Sequence, residues 1–238
     1  MQVSRVALLS ARDAFATLEL ASRLEIGIKA VILDPWYNKG VGGVRDDYAA
    51  FVHGLLERSA SVAEHVFLWG FPEILARFVG GTPRTLELVS WLTWYYKNNP
   101  SVIRGWRSSQ NACLHLARPG SKLYPEHFLN ERQMDLLAKK KLRYIPGPTS
   151  VIEAPLNIGF VGRAEQTGHP AQKPVSVFEK LVLMTTKPGD IILDPMCGSG
   201  TAGAAARKNG RLALICDNSS DYIEMCRRRL EVTCVKGL

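Results

Sequence analysis

The run Ile191-Ile-Leu-Asp-Pro-Met-Cys-Gly-Ser-Gly-Thr-Ala-Gly203 constrains this chain more than any other stretch. Three consecutive apolar residues make a short strand buried on both faces, the mark of a parallel sheet. Gly198 and Gly200 then permit a tight turn that other residues resist, and Thr201 to Asn209 reads as a helix. A second apolar run, Leu212 to Ile215, follows at once and stops before Asp217. Strand, glycine turn, helix and strand in that order form a βαβ unit, so the fold class is α/β with a mostly parallel sheet and helices on both faces.

The remaining sequence repeats the alternation. Val6 to Leu9, Ala30 to Leu33, Val66 to Trp69, Leu86 to Trp94 and Ala112 to Ala117 are strand-like. Tyr48, Val52, Leu55 and Leu56 fall at i, i+4, i+7 and i+8 and predict a helix with one apolar stripe. Val177, Leu181 and Met184 predict another, and a last helix runs from about Asp221 to Glu231. From Arg118 to Gln166 five prolines and the basic stretch Lys139-Lys-Lys141 with Arg143 interrupt the pattern. The expected organisation is one domain over 1–118 and 167–238, with an insertion at 119–166.

No stretch approaches the ~20 apolar residues of a membrane span, and the first ten residues lack the features of a signal peptide. A cytoplasmic protein without a membrane partner is expected. The five cysteines are an odd number with no C-x-x-C pair, so neither a disulfide framework nor a metal site is expected. A formal net charge of +8 favours a polyanionic partner.

Two places carry chemistry. In the glycine loop the backbone can approach a ligand closely, and the Asp217 carboxylate stands where it can accept hydrogen bonds from a ribose diol. An adenosine-containing ligand is implied. Read literally, Gly198-Ser-Gly-Thr-Ala-Gly203 is also the G-x-G-x-x-G dinucleotide fingerprint of a nicotinamide enzyme. Asp194 argues against that reading, because a carboxylate at the loop repels a pyrophosphate and tolerates a cationic ligand. The second place is Asp34-Pro35-Trp36-Tyr37, directly after a buried strand, at the edge where open α/β sheets place their ligands. Taken alone, this tetrapeptide is equally well a strand end capped by Asp-Pro with two core aromatics.

In order and spacing these residues resemble the β-type, circularly permuted amino DNA methyltransferases of the N6-adenine/N4-cytosine family. There the catalytic D-P-P-Y precedes the D-P-F-x-G-S-G-T cofactor loop. The likeness covers most of the chain. Ser10-Ala-Arg-Asp13 resembles the family's acidic segment beside the cofactor adenine, and His169-Pro-Ala-Gln-Lys-Pro174 its H-P-x-Q-K-P element. Two positions depart: Trp36 replaces the second proline, and Met196 replaces the phenylalanine.

The resemblance implies a Rossmann-like sheet completed by both chain ends, with S-adenosylmethionine as cofactor. Cofactor-binding residues would be Asp13, His169, Gln172, Lys173, Asp194, Pro195, Met196, Cys197, Gly198, Ser199, Gly200, Thr201 and Asp217. Catalytic residues would be Asp34, Pro35, Trp36 and Tyr37. Asp34 and the Pro35 carbonyl would accept the amino hydrogens of a flipped-out base, localising the nitrogen lone pair, while Tyr37 stacks on the base and Trp36 lines the pocket. The expected reaction is N6-adenine methylation of double-stranded DNA, with N4-cytosine as the alternative and RNA as a further one. DNA contacts are expected from Lys39, Arg45, Arg104, Arg107, Lys139, Lys140, Lys141 and Arg143. The segment 119–166 would recognise the target. A homodimer and a cognate restriction endonuclease are expected as partners. Arg227 to Arg229, three consecutive cations on a helix, are read as a solvated face.

Overall fold

The computed structural model describes residues 5–38, 43–100, 102–103 and 105–235. In chain order its elements are β1 (Val6–Leu9), α1 (Ala14–Arg23), β2 (Ile28–Leu33), α2 (Tyr48–Val62), β3 (Ala63–Gly70), α3 (Pro72–Leu75) and β4 (Glu87–Tyr95). There follow β5 (Val102–Ile103), β6 (Trp106–Arg107), β7 (Gln110–Ala117), α4 (Glu131–Ala138), β8 (Val151–Glu153) and α5 (Val175–Thr185). The chain ends with β9 (Ile191–Asp194), α6 (Thr201–Lys208), β10 (Leu212–Ile215), α7 (Ser220–Leu230) and β11 (Cys234–Val235).

Nine strands form one sheet in the order β11-β1-β10-β9-β2-β3-β7-β4-β8, and β5 and β6 make a separate hairpin. Strands β11 through β3 are mutually parallel, whereas β7 runs antiparallel to both β3 and β4. The mostly parallel α/β fold expected from the sequence is therefore present. Val6 pairs with Ala213, so the first strand does complete the C-terminal βαβ unit. Strand β8 pairs parallel to β4, which brings part of the 119–166 segment onto the edge of the main sheet.

Chain direction explains the layers. The β9-α6-β10 and β10-α7-β11 crossovers step toward one edge of the sheet, while β1-α1-β2 and β2-α2-β3 step toward the other. Right-handed crossovers put these two sets on opposite faces. Phe15 of α1 meets Phe51 of α2 edge-on at 5.4 Å on one side. On the other, Trp69 of β3 stacks on Phe178 of α5 at 5.8 Å. Val52, Leu55 and Leu56 are buried as their spacing predicts, each contributing roughly 1.5–3 kcal/mol of apolar burial.

Neighbouring strands β9 and β2 are where the crossovers diverge. The crevice beyond their carboxyl ends is thus a topological switch point, the place where open α/β sheets bind ligands. Asp194 ends β9, and Asp34 follows the last residue of β2.

Candidate active site

The glycine loop spans β9 to α6. Gly198 and Gly200 adopt φ of +48° and +76°, a region in which a side chain is strained. A Cβ on Gly198 would come within 2.7 Å of His169 Nε2, and one on Gly200 within 2.9 Å of Cys226 Sγ. Asp217 fixes the loop from below: one carboxylate oxygen accepts from Gly198 N at 2.8 Å, the other from Ser219 N at 3.0 Å. Arg229 reaches the same loop, donating to Ser199 O at 2.9 Å and Thr201 Oγ1 at 3.0 Å, and its burial lowers its pKa. Only Arg227 and Arg228 behave as the solvated face expected of this cluster, both pairing with Glu224. Arg229 is instead turned inward onto the loop, donating to Ser199 O and Thr201 Oγ1.

Asp194 is buried and accepts from Met196 N at 3.1 Å. Burial pushes its carboxyl well above the usual range, and the nearby charges of Asp34 and Asp217 push it further. Three acidic side chains thus converge on one crevice, with Lys173 the counter-charge felt by Asp194. A ligand bearing positive charge fits this field and a pyrophosphate does not.

The His169 to Pro174 element lies over the loop. The His169 ring meets Tyr222 at 4.5 Å, its Nδ1 accepts from Ala171 N at 3.2 Å, and burial holds its pKa down. Gln172 staples the approach, its Oε1 accepting from Thr167 N at 2.9 Å and its Nε2 donating to Glu165 O at 2.6 Å. The Lys173 carbonyl accepts from Thr201 Oγ1 at 3.1 Å, and the Lys173 side chain turns toward β2. There its ammonium donates to Asp34 Oδ1 at 2.6 Å and also bonds Asp34 Oδ2. The protein's own Asp34 is therefore the carboxylate that Lys173 serves. Burial alone would lower the Lys173 pKa, but Asp34 and Tyr37 more than offset it and the net shift is upward.

Tyr37 stands beside this pair. Its hydroxyl accepts from Asn111 Nδ2 at 3.0 Å and from Lys173 Nζ at 3.4 Å, and its ring lies 4.4 Å from Phe71. With both hydroxyl lone pairs taken, the phenolic hydrogen is free to point elsewhere. Tyr37, Phe71, Trp94, Tyr96, Asn111 and His169 line a cavity of about 480 Å³. Oδ1 of Asn111 is buried without a partner among the described residues. Trp36 is not in this wall: its ring packs on Tyr48 and Phe51 of α2, and its Nε1 donates to Gly43 O at 3.1 Å. Tyr48 in turn donates to the Trp36 carbonyl at 2.7 Å, which anchors the tetrapeptide from outside the cavity.

Asp13 caps α1, accepting from Ala16 N at 2.9 Å, and Arg12 N donates to Asp217 O at 3.1 Å, so this segment does lie beside the loop. Pro195 and Cys197 are buried, Met196 half-buried, and Cys197 Sγ is 3.6 Å from Cys226 Sγ. Of the cations expected at DNA, Arg45 is held by a two-pronged pair with Asp47, and Lys139 pairs with Asp135. Arg107, Lys140, Lys141 and Arg143 are exposed. Lys39 and Arg104 lie outside the described residues. Phe71 and Asn111 were not expected at the site; the one signal for Asn111 is a polar residue just before the apolar run Ala112-Cys-Leu114.

A family model described as DNA methylase, N6_N4_Mtase, matches residues 83–228. The chain belongs to this family of N6/N4 DNA methylases. Among relatives of the methylase, the type II methyltransferase M.HpaI of Haemophilus parainfluenzae is 27% identical over 87% of this chain and 69% of its own length. The DNA adenine methyltransferase YhdJ of Escherichia coli K12 is 44% identical over 29% of this chain, and the match spans only 23% of YhdJ. The fold of the methylase is shared with M1.HpyAVI, solved as a complex with SAM, at a TM-score of 0.71 and 20% identity over 95% of this chain and 100% of that one.

Proposed function

We propose that this methylase transfers a methyl group from S-adenosylmethionine to N6 of an adenine flipped out of double-stranded DNA. The observation that carries the reading is a single cluster. The Asp34 carboxylate and the Tyr37 wall of the cavity stand beside the glycine loop, across the switch point from Asp194 and Asp217. The acidic crevice suits the sulfonium and ammonium charges of the cofactor, held by the residues of the glycine loop with Asp217 and the Ser10 to Asp13 segment. When bound, that cofactor supplies an electrophilic methyl group. Asp34 and the Pro35 carbonyl accept the two amino hydrogens of the base, so the nitrogen lone pair no longer delocalises into the ring and is free to form the new N–C bond. The methyl group would be supplied by the bound cofactor, whose sulfur would keep the bonding electrons and leave as a thioether. The proton shed by the nitrogen passes to Asp34. Tyr37 and Phe71 give the ring a stacking wall, worth about 1–3 kcal/mol per base.

Adenine is favoured over cytosine by the similarity to YhdJ, whose name specifies adenine. We place target recognition in residues 119–166, phosphate contacts on Arg45, Arg107, Lys139, Lys140, Lys141 and Arg143, and the protein in the cytoplasm. No described helix is long and apolar enough to cross a membrane. A homodimer and a cognate restriction endonuclease are the protein partners this reading implies.

The test is to incubate the protein with unmodified duplex DNA and methyl-labelled S-adenosylmethionine, digest to nucleosides and separate them. Label in N6-methyladenine is expected. Label in N4-methylcytosine overturns the base assignment, and label only in RNA or protein overturns the substrate. Sequencing modified DNA from cells expressing the protein maps the site.

A further inference from the structure

Two aromatic rings stand almost fully exposed on turns whose flanks line the cavity, and the chemistry above uses neither. Trp106 is 84% exposed and Phe160 89%. Single exposed apolar side chains are common, so exposure alone argues nothing. What sets these two apart is that their turns are joined beside the cavity.

Each ring follows a glycine in the left-handed region, Gly105 at φ +80° and Gly159 at φ +58°. An amide side chain bonds the described backbone at each turn. Asn99 Nδ2 donates across the β5–β6 hairpin to Ser108 O at 3.0 Å. Gln166 Nε2 donates to Gly159 O at 3.0 Å and Val161 O at 2.9 Å. The two turns are also tied to each other, because Asn98 exchanges hydrogen bonds with the Leu156 backbone at 2.9 and 2.8 Å. Asn99 and Ser108 from one turn, and Leu156, Asn157 and Ile158 from the other, line the cavity wall. Arg107 and Arg163 are exposed beside the rings and can meet phosphates.

We propose that Trp106 and Phe160 are paired wedges that enter the duplex and hold the stack open while the target base occupies the cavity. The inference rests on the DNA-methylating reading given above. Extruding a base leaves a gap that breaks stacking on both sides. An aromatic ring inserted there restores stacking that the departing base gives up. A ring on a loose loop would lose entropy on insertion; Phe160, between the two carbonyls that Gln166 bonds, loses less.

The test uses duplexes built on the site mapped by sequencing, either fully paired or with a mismatched base opposite the target, which lowers the energy of flipping. On paired DNA the variant carrying both Trp106→Ala and Phe160→Ala should lose roughly 10- to 100-fold in kcat/KM. On mismatched DNA most of that loss should disappear, and S-adenosylmethionine affinity by calorimetry should be unchanged. Trp106→Phe should keep most activity on both. An equal loss on both duplexes makes these residues ordinary contacts and overturns the wedge role, as does no loss on either. Should the wild-type protein methylate neither duplex, the DNA-methylating reading itself fails, an outcome visible before any variant is compared.

Discussion

The Lys173 ammonium lies 2.6 Å from Oδ1 of Asp34, and this pair joins the two halves of the site, since its members are 139 residues apart in sequence. Lys173 is buried, and among the described residues its ammonium is ion-paired with the Asp34 carboxylate, with the Tyr37 hydroxyl accepting a further hydrogen bond. The pair therefore fixes where Asp34 points. Lys173→Met should lower kcat by roughly 100-fold, the penalty for about 1 Å of misplacement at a reacting centre. The KM for S-adenosylmethionine should move much less. Because the Lys173 pKa is raised, activity should show no alkaline loss from this lysine below about pH 10. An alkaline limb near neutrality that vanishes in Lys173→Met would contradict this.

Removing the other partner separates chemistry from folding. Asp34→Ala should cut turnover by roughly 10²–10³ or more while calorimetry shows cofactor binding nearly intact. It also leaves Lys173 buried without a counter-charge, which costs on the order of 3 kcal/mol. Asp34→Asn retains an acceptor for that ammonium and should recover part of the melting temperature but little of the turnover. Turnover that returns along with stability would show Asp34 to be structural.

The parts of this arrangement visible in the sequence are those written in local pattern. Leu212 to Ile215 is a strand with those bounds, and Val52, Leu55 and Leu56 face the core, because uninterrupted apolar runs and helical spacing report burial directly. Strand β8 was invisible: three residues, Val-Ile-Glu, have no period, and only pairing with β4 makes them a strand. Helix α4 did carry a signal, Asn130 followed by Gln133, and both capping bonds form. It was masked by the prolines around it. At the site, the motifs located Asp34, Asp194 and Asp217, but the partner of Lys173 and the inward turn of Arg229 depend on strand order. Trp36 was expected beside the base because it adjoins Tyr37. Successive side chains leaving a strand point opposite ways, and Trp36 goes to α2.

Asp217 and the glycine loop should respond as one unit. Asp217→Ala strands the buried N–H of Gly198, worth about 1–3 kcal/mol if left unpaired, and also releases the part-buried N–H of Ser219. The KM for S-adenosylmethionine should rise, and the melting temperature should fall even without cofactor. Gly200→Ala combines a left-handed φ of +76° with a 2.9 Å clash on Cys226 Sγ, so it should be destabilising as well. Adding Cys226→Ala removes the clash and leaves the backbone strain. Partial recovery of melting temperature in the double variant is therefore the expected result, and full recovery would mean that φ carries no strain.

A buried histidine pair away from the site sets an acid limit on stability. His65 Nδ1 and His115 Nε2 are 3.2 Å apart, and His65 Nε2 faces Lys122 O at 3.1 Å. The outer bond makes His65 Nε2 a donor and Nδ1 an acceptor, so His115 Nε2 carries the shared hydrogen and both rings are neutral. Burial, reinforced by His65, pushes the His115 pKa down to about 3, and burial lowers that of His65 as well. A histidine with a depressed folded pKa leaves stability intact above its unfolded value of about 6.5. Below that, the unfolded chain takes up a proton that the folded protein refuses, so stability falls with decreasing pH by roughly 1.4 kcal/mol per unit for each such ring. Urea denaturation between pH 7.5 and about 4 should therefore show a midpoint that drops steadily below about pH 6.5. Replacing both rings, His65→Gln with His115→Phe, should flatten that slope even if it lowers stability at neutral pH. An unchanged slope in that variant would assign the acid sensitivity to other groups.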